Sequence, residues 1–381
     1  MSGTPDVLIV GGGVIGCAIG YYLTRAEARV TIVERRRIAQ EASWASAGLL
    51  SPPKKTPLGL EHAQLEARSF RMYPTLLAEL QEETGLGVEY VRSGRLSVAF
   101  DEVEEAALRE LLAWQQALGF ALTWRDGDEA RREEPALGPA IRGGVWCADA
   151  GNLRAARLTL ALARAARQRG ATILEETAVE AFIEEGEGGL TGAPGARIAG
   201  VRTRRGELRA GQTVIAAGAW SIGLGELLGL PLPTRPIRGQ MLALADTDPP
   251  LRHAVAGAGG FLIPRADGTV AVAATVDDAG FDTSVTPDGL VWLAGLIRTL
   301  APSYTQARVV ETWAGLRPGT TDDRPIMGPV PGRAGLWVAT GHAREGIIWA
   351  PLVGETLAAA LLTGEVDPEL APYSPARFAQ G

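Results

Sequence analysis

The chain has 381 residues, of which 46% are hydrophobic and 21% charged; this length favours two or three domains, and the composition excludes disordered and fibrous architectures. The net charge of −7 argues against nucleic acid as the main partner, because a polyanion requires a basic surface. Only Lys54 and Lys55 are lysines, and both lie in the proline-rich run 51–57, which excludes P-loop and Schiff-base chemistry.

Cysteine and histidine usage excludes further classes. Two cysteines, Cys17 and Cys147, and three histidines cannot build a disulfide framework or a zinc cluster. The N-terminus begins with a strand-like run rather than a signal peptide, and no run of about 18 apolar residues predicts a membrane span. We therefore expect a cytoplasmic protein.

The chain opens with a pattern of strand, helix and strand. Residues 6–10 and 30–33 are short apolar runs typical of strands buried on both faces, and a glycine-led segment at 14–25 predicts a helix between them. After Glu34 the pattern does not continue into a third strand. It enters a stretch of small residues at 42–50 and then the proline-rich loop.

The middle of the chain mixes predicted helices with short alternating runs. Helices are expected at 61–84, 101–118 and 155–168, and strands at 92–100 and 171–175. Short alternating runs within 179–214, 235–245, 261–264 and 270–275 predict an antiparallel sheet. The last unit is a strand at 335–341, followed by a helix at 351–362 with Pro351 in the first helical position.

The predicted fold class is α/β, with two domains. Residues 1–60, 148–220 and 320–381 would form a discontinuous Rossmann-like domain. Residues 61–147 and 221–319 would form a substrate domain with a mixed or antiparallel sheet and helices.

The glycine motif at residues 11–16 points to a dinucleotide. Gly11 permits the tight turn, Gly13 lets backbone amides approach a pyrophosphate, and Gly16 allows the helix to pack closely on the strand. The helix N-terminus supplies free N–H groups and a partial positive charge for the phosphates. Glu34, which ends the second strand, can accept hydrogen bonds from a ribose hydroxyl.

The interrupted pattern favours FAD over a nicotinamide cofactor. A nicotinamide enzyme would usually complete its sheet with contiguous units, whereas this chain returns to strand and helix only in distant segments. Ser43 and the small residues 46–49 are candidates to meet the flavin, because small side chains let a planar ring lie against the backbone. No CxxC is present, which excludes a flavoprotein disulfide reductase. We expect the discontinuous Rossmann-like domain to be an FAD-binding domain that holds FAD non-covalently.

Three stretches carry a resemblance to a known family: 6–50, the octet 313–320 (Trp-Ala-Gly-Leu-Arg-Pro-Gly-Thr) and 341–348 (Gly-His-Ala-Arg-Glu-Gly-Ile-Ile). They resemble the D-amino-acid oxidase-like flavoproteins, and the octet resembles the glycine oxidase branch in particular. Weaker similarity, as at 216–220 and 237–240, extends the resemblance to nearly the whole chain.

The resemblance implies roles for particular residues. Val14 and Ile15 would lie at the FAD pyrophosphate, Glu34 and Arg35 at the adenosine ribose, and Val179 at the adenine. The residues that would line the cofactor elsewhere are Ala42, Ser43, Ala47, Gly48 and Leu49, and those expected to wrap the flavin ring are His342, Ala343, Arg344, Glu345, Gly346, Ile347 and Ile348.

Arg317 is the predicted catalytic and substrate-binding residue, with Arg344 as the second candidate for both roles. A planar guanidinium can hold a carboxylate by two parallel charge-assisted bonds, which fixes its orientation. The family has a tyrosine where this chain has Phe261 and a methionine where it has Val276, both expected to contact substrate. Losing the phenol shifts carboxylate binding towards the arginines.

The expected function is FAD-dependent oxidation of a small amino acid, such as glycine, sarcosine or a small D-amino acid. Hydride transfer to the flavin would give an imine or 2-oxo acid, ammonia and hydrogen peroxide, with oxygen as acceptor. The resemblance also implies a role in thiamine thiazole biosynthesis and a homo-oligomer. Two alternatives stay open: a D-amino-acid or amine dehydrogenase of the same fold that uses a quinone, and a non-catalytic flavin-binding scaffold.

Overall fold

A computed structural model describes residues 4–186 and 196–378. Part of the run predicted at 179–214, namely 187–195, lies outside the described residues. The helices are α1 (Val14–Arg25), α2 (Ala42–Ala45), α3 (Gly59–Thr84), α4 (Glu102–Ala117), α5 (Gly127–Glu133), α6 (Ala155–Gln168), α7 (Ser221–Glu226), α8 (Pro287–Leu300) and α9 (Gly346–Thr363).

The strands belong to two large and two small sheets. They are β1 (Val7–Val10), β2 (Val30–Val33), β3 (Leu49–Leu50), β4 (Arg95–Ala99), β5 (Leu122–Asp126), β6 (Gly143–Cys147), β7 (Gly151–Asn152), β8 (Thr172–Leu174), β9 (Val179–Glu185), β10 (Arg197–Thr203), β11 (Gly206–Arg209), β12 (Gln212–Ile215), β13 (Thr234–Ala245), β14 (Ala254–Gly257), β15 (Gly260–Pro264), β16 (Val270–Ala273), β17 (Arg308–Thr320), β18 (Ile326–Pro329) and β19 (Leu336–Thr340).

The first large sheet has the order β18-β19-β12-β1-β2-β8. Its strands are parallel except for β18, which pairs antiparallel with β19. Helices α1, α6 and α9 cover one face, and the three-stranded sheet β11-β10-β9 covers the other. Both faces are therefore buried, which is why β1 and β2 are continuous apolar runs.

The second large sheet has the order β17-β13-β16-β15-β14-β4-β6-β5. Its pairs are antiparallel apart from β14 with β4, and α8 packs on one face. Side chains alternate along a strand. Leu242 and Leu244 therefore pack with α8, whereas Met241 and Ala243 lie on the opposite face and pack with α2. The α/β fold class with a mixed sheet is confirmed; the domain boundaries stay a prediction.

Two local expectations were wrong. The runs within 179–214 do not join one antiparallel sheet, because β9 to β11 form their own sheet while β12 enters the parallel one. Helix α9 begins at Gly346, and Pro351 lies inside it. The interior proline is tolerated because Tyr73 donates its hydroxyl to the Ile347 carbonyl, which has lost its helical partner.

Helix α9 is also long and apolar enough to cross a membrane by length and composition. Within the protein, 72% of that stretch is buried. It packs against α1 and α3, as the central helix of a folded core does. Its apolar composition is thus explained by burial on all sides.

Candidate active site

One cavity of about 740 Å³ runs between the two large sheets, a volume within the usual range for small-molecule and cofactor sites. Most of the predicted site residues line it. They are Gly11, Gly13, Val14, Ile15, Glu34, Arg35, Ala42, Ser43, Ala47, Gly48, Leu49, Val179, Phe261, Arg317, His342, Ala343, Arg344, Glu345, Gly346, Ile347 and Ile348. The fold thus brings together segments that are hundreds of residues apart.

Two predicted residues do not line the cavity. Gly16 packs beneath it, where a Cβ would lie 2.1 Å from the Gly11 carbonyl oxygen, so this position permits close packing of helix on strand. Val276 is 57% exposed and lies outside the lining, beyond the end of β16. The structure thus places Val276 outside the cavity, which Ala273 and Ala274 line instead, and its contact with substrate stays a prediction.

The turn before α1 has the properties of a phosphate site. Gly11 has φ +123°, and a Cβ there would lie 2.3 Å from the Ala216 carbonyl oxygen. The N-cap residue Gly13 has no side chain to cap the helix, and the first turn carries no acidic residue. The positive end of the helix is left for an external anion, as a pyrophosphate requires.

Glu34 is held beside this turn by backbone donors. Its Oε2 accepts from the Gly12 N–H at 2.8 Å, and its Oε1 accepts from the Arg36 N–H at 2.8 Å. Each carboxylate oxygen keeps a further lone pair, so Glu34 can still accept from a ribose hydroxyl. The guanidinium carbon of Arg35 lies over the Trp220 ring, 3.9 Å from its centroid, and this pair forms the adjoining wall.

The small-residue stretch docks against the second sheet. Ser43 accepts from the Val14 N–H at 2.9 Å, and Trp313 donates from Nε1 to the Ala45 carbonyl at 3.1 Å. A Cβ at Gly315 would lie 2.2 Å from that of Ala45. These contacts join helix α2 to both halves of the cavity, leaving its small side chains against the open space.

The glycine turn, the Glu34 carboxylate and the small-residue wall fit an FAD molecule. Together they offer backbone donors for a pyrophosphate, acceptors for a ribose and a flat surface for a ring. Cys17 and Cys147 are both buried, and neither is among the residues lining the cavity. The described residues therefore place no thiol where it could bond to a flavin.

Arg317 projects from β17 into the cavity. Its Nη1 donates to the Thr275 carbonyl at 3.0 Å and, at 3.3 Å, to that of Arg238. Within residues 4–186 and 196–378 no carboxylate forms an ion pair with it. Burial, with a contribution from Arg344, lowers the pKa of Arg317 to about 10, so the group is still a cation at neutral pH.

The loop before α9 closes the opposite side of the cavity. Ala343 has φ +45° and donates its N–H to the Pro318 carbonyl at 2.9 Å, which ties the loop to the end of β17. His342 is 3% exposed, and its Nε2 is buried without a partner among the described atoms. Burial, with a contribution from His62, lowers the pKa of His342 to about 3, so its ring is neutral.

Sequence reasoning missed three residues at this site. Lys54 and Glu66 line the cavity, although the proline-rich run around Lys54 is typical of an exposed loop and had excluded its lysines from the chemistry. Gly239 also lines it, in a strand where nothing in the local pattern marks it. Only the pairing of β13 with β17 brings Gly239 beneath the Arg317 guanidinium.

Comparison with known proteins agrees with this geometry. The family described as FAD dependent oxidoreductase (DAO) matches residues 6–360. The chain belongs to this family. Its cofactor is FAD, and the resemblance noted in the sequence is confirmed.

Curated relatives and solved structures give the same result. A glycine oxidase of Pseudomonas aeruginosa is 36% identical over 375 residues, which cover 97% of this chain and 98% of that protein. The crystal structure of glycine oxidase from Geobacillus kaustophilus is 33% identical, with a TM-score of 0.90 and 99% coverage of both chains. An iminodiacetate oxidase from Chelativorans sp. BNC1 is 28% identical, with a TM-score of 0.86 and coverage of 97% and 98%.

Proposed function

We propose that the protein oxidises a small amino acid held by its carboxylate on Arg317. The proposal is carried by the surroundings of this guanidinium. It faces the cavity, and among the described residues its hydrogen-bond partners are backbone carbonyls only. A buried cation without an acidic partner is costly, and a substrate carboxylate would satisfy it through paired charge-assisted bonds. The names of the glycine oxidases among its relatives support this substrate class.

FAD supplies the two-electron acceptor for such an oxidation. The substrate loses two electrons and two protons to give an imine, water hydrolyses the imine to a 2-oxo acid and ammonia, and oxygen is reduced to hydrogen peroxide. Arg317 fixes the position and orientation of the substrate, which supplies much of the rate. Phe261 offers an apolar wall without a hydroxyl, so carboxylate binding depends on the arginines.

No side chain is required as a base in this scheme. The ring of His342 is neutral and buried, and it forms part of the cavity wall in the loop before α9. We assign it no proton transfer. The amine of the substrate reacts in its neutral form. Arg344, exposed to the cavity at the tip of the same loop, stays the second candidate for substrate binding.

The test replaces Arg317 with alanine and mixes the purified holoenzyme anaerobically with glycine, sarcosine or D-alanine. We expect the variant to keep its yellow cofactor while substrate-dependent bleaching slows about 100-fold or more, since two bonds to a charged group are lost, each worth roughly 1.5–3 kcal/mol. Arg308→Ala, which removes a surface ion pair with Asp246, is the control. Bleaching of the Arg317 variant at the wild-type rate would remove this assignment.

The electron acceptor needs its own measurement. We propose oxygen, and stoichiometric hydrogen peroxide per imine formed would support it. Turnover with a quinone but without peroxide would favour a dehydrogenase. Failure of every amino acid to bleach the flavin would favour the binding scaffold. The cytoplasmic location, the homo-oligomer and the role in thiazole biosynthesis stay predictions from the sequence and the family.

A further inference from the structure

Lys54 lies on the cavity wall next to Phe261. Its Nζ is 5.0 Å from the centre of the Phe261 ring, and the side chain is accessible from the cavity although protein surrounds it. Among the described residues it forms no hydrogen bond or ion pair. Lys55, one residue later, points away and pairs with Glu110 at 2.5 Å. Two adjacent lysines thus have different surroundings.

The cavity near Lys54 has a surplus of positive charge. Lys54, Arg317 and Arg344 all line it, and Arg95 is buried behind them, 3% exposed. Burial, and then the positive charges of Arg95 and Arg344, lower the pKa of Lys54. Glu345 and Glu66 act in the opposite direction, but they offset these effects only in part, because the pKa of Lys54 stays below its usual value.

The acids near these cations do not remove the surplus. Glu66 is 3% exposed, and burial with the neighbouring Glu345 raises its pKa to about 9, so it is neutral at pH 7. Asp277 is bonded to Arg238 at 3.2 Å and to Gln240 at 2.7 Å. Among the described residues, Glu345 is the remaining acid on this part of the cavity wall, and its Oε2 lies 3.4 Å from Nε2 of His62. One substrate carboxylate would neutralise Arg317. Two cations, Lys54 and Arg344, would then remain in this part of the cavity beside one carboxylate, that of Glu345.

Phe261 positions the ammonium without neutralising it. The face of an aromatic ring attracts a cation through its quadrupole, but it carries no net negative charge and cannot neutralise the ammonium. The contact holds Lys54 over the ring, within the cavity and on the same wall that a bound substrate would face. An anion entering there would find an oriented donor that no side chain of the described chain competes for.

We propose that Lys54 forms a second anion subsite, which takes the second carboxylate of an amino-acid substrate. The preferred substrates would then be diacids, either amino dicarboxylates or N-carboxymethyl amino acids, rather than glycine itself. This inference rests on the proposed function, because Arg317 must hold the first carboxylate. It assigns Lys54 to specificity, not to the chemistry of oxidation.

The test compares matched substrates that differ by one carboxylate: iminodiacetate against sarcosine, and D-aspartate against D-alanine. Anaerobic bleaching of the holoenzyme gives kcat/KM for each. We expect the wild type to prefer the diacid by about ten-fold or more in at least one pair. Lys54→Met should lower that ratio about ten-fold or more, as expected for the loss of one charge-assisted bond, and Lys54→Arg should restore most of it. Lys55→Met is the matched control and should leave the ratio unchanged.

A wild type without preference for the diacid in either pair, or a Lys54→Met ratio equal to that of the wild type, overturns the subsite. The first of these outcomes needs no variant to fold. A parallel titration of malonate against acetate, read from the flavin absorbance, reports binding without turnover. If no amino acid bleaches the flavin but malonate binds tightly through Lys54, the proposed oxidation fails and the subsite stands; if malonate binds no better than acetate, the subsite fails as well.

Discussion

The guanidinium of Arg317 lies against Gly239, two residues along the neighbouring strand from the pairing partner of Arg317, Ile237. A Cβ at residue 239 would lie 2.3 Å from Nη2 and 2.5 Å from Cζ of Arg317. Only glycine leaves room for the planar group at this place. The position of the proposed carboxylate clamp therefore depends on a residue with no side chain of its own.

Gly239→Ala should reduce amino acid oxidation about ten-fold or more, because a misplacement of about 1 Å in a binding group is costly. FAD content should not change, since the three atoms nearest to a Cβ at residue 239 all belong to Arg317 and the glycine turn at α1 is untouched. Anaerobic bleaching rates measure the effect. Gly295→Ala in α8, where a Cβ meets nothing within 4 Å, is the control; equal rates for the two variants would contradict the proposed contact.

Glu34→Ala should weaken FAD binding by about ten-fold or more. The substitution removes the acceptor for the Gly12 and Arg36 N–H groups as well as the acceptor proposed for the ribose, and a bond to a charged group is worth roughly 1.5–3 kcal/mol. The dissociation constant from flavin fluorescence on titrating apoprotein checks this. The exposed Glu365→Ala should bind FAD as the wild type does.

Tyr73→Phe should lower the free energy of unfolding by about 1–3 kcal/mol, the cost of leaving a buried polar group without a partner. The group is the Ile347 carbonyl, to which Pro351 cannot donate. Urea unfolding of the holoenzyme measures it. Tyr90→Phe is the matched control, because Tyr90 is 37% exposed and its hydroxyl has no described partner. Equal stability of the two variants would mean that the tyrosine does not support the helix.

Because of Glu66, the free energy of unfolding should fall as pH rises. Burial and Glu345 raise the pKa of Glu66 from 4.5 to about 9, so the folded protein keeps a proton that the unfolded chain releases above about pH 4.5. The stabilisation is complete below that pH and is lost as pH approaches 9, by up to about 1.4 kcal/mol per pH unit. The difference in unfolding free energy between wild type and Glu66→Gln, measured from pH 5 to 9, should follow this slope. A flat difference would mean that Glu66 is ionised when folded.

The cofactor half of the site could be predicted from the sequence because its signals are local. One strand-helix-strand unit contains the glycine turn at Gly11, Gly13 and Gly16 and the carboxylate of Glu34. The geometry of that unit determines their spacing, so the spacing can be recognised in the sequence. The octet around Arg317 marked the second half through its resemblance to a family. The strands of the parallel sheet could be predicted because strands buried on both faces are short, nearly continuous apolar runs.

The substrate half was decided by tertiary structure. Gly239 and Lys54 acquire their proposed roles only when β13 pairs with β17 and when the proline-rich loop is placed over Phe261. The position of Val276 was also decided there: the resemblance to the family suggested a pocket residue, whereas the side chain is exposed beyond the end of β16. Sequence patterns report the periodicity of single elements, whereas the surroundings of a side chain depend on contacts between segments far apart along the chain.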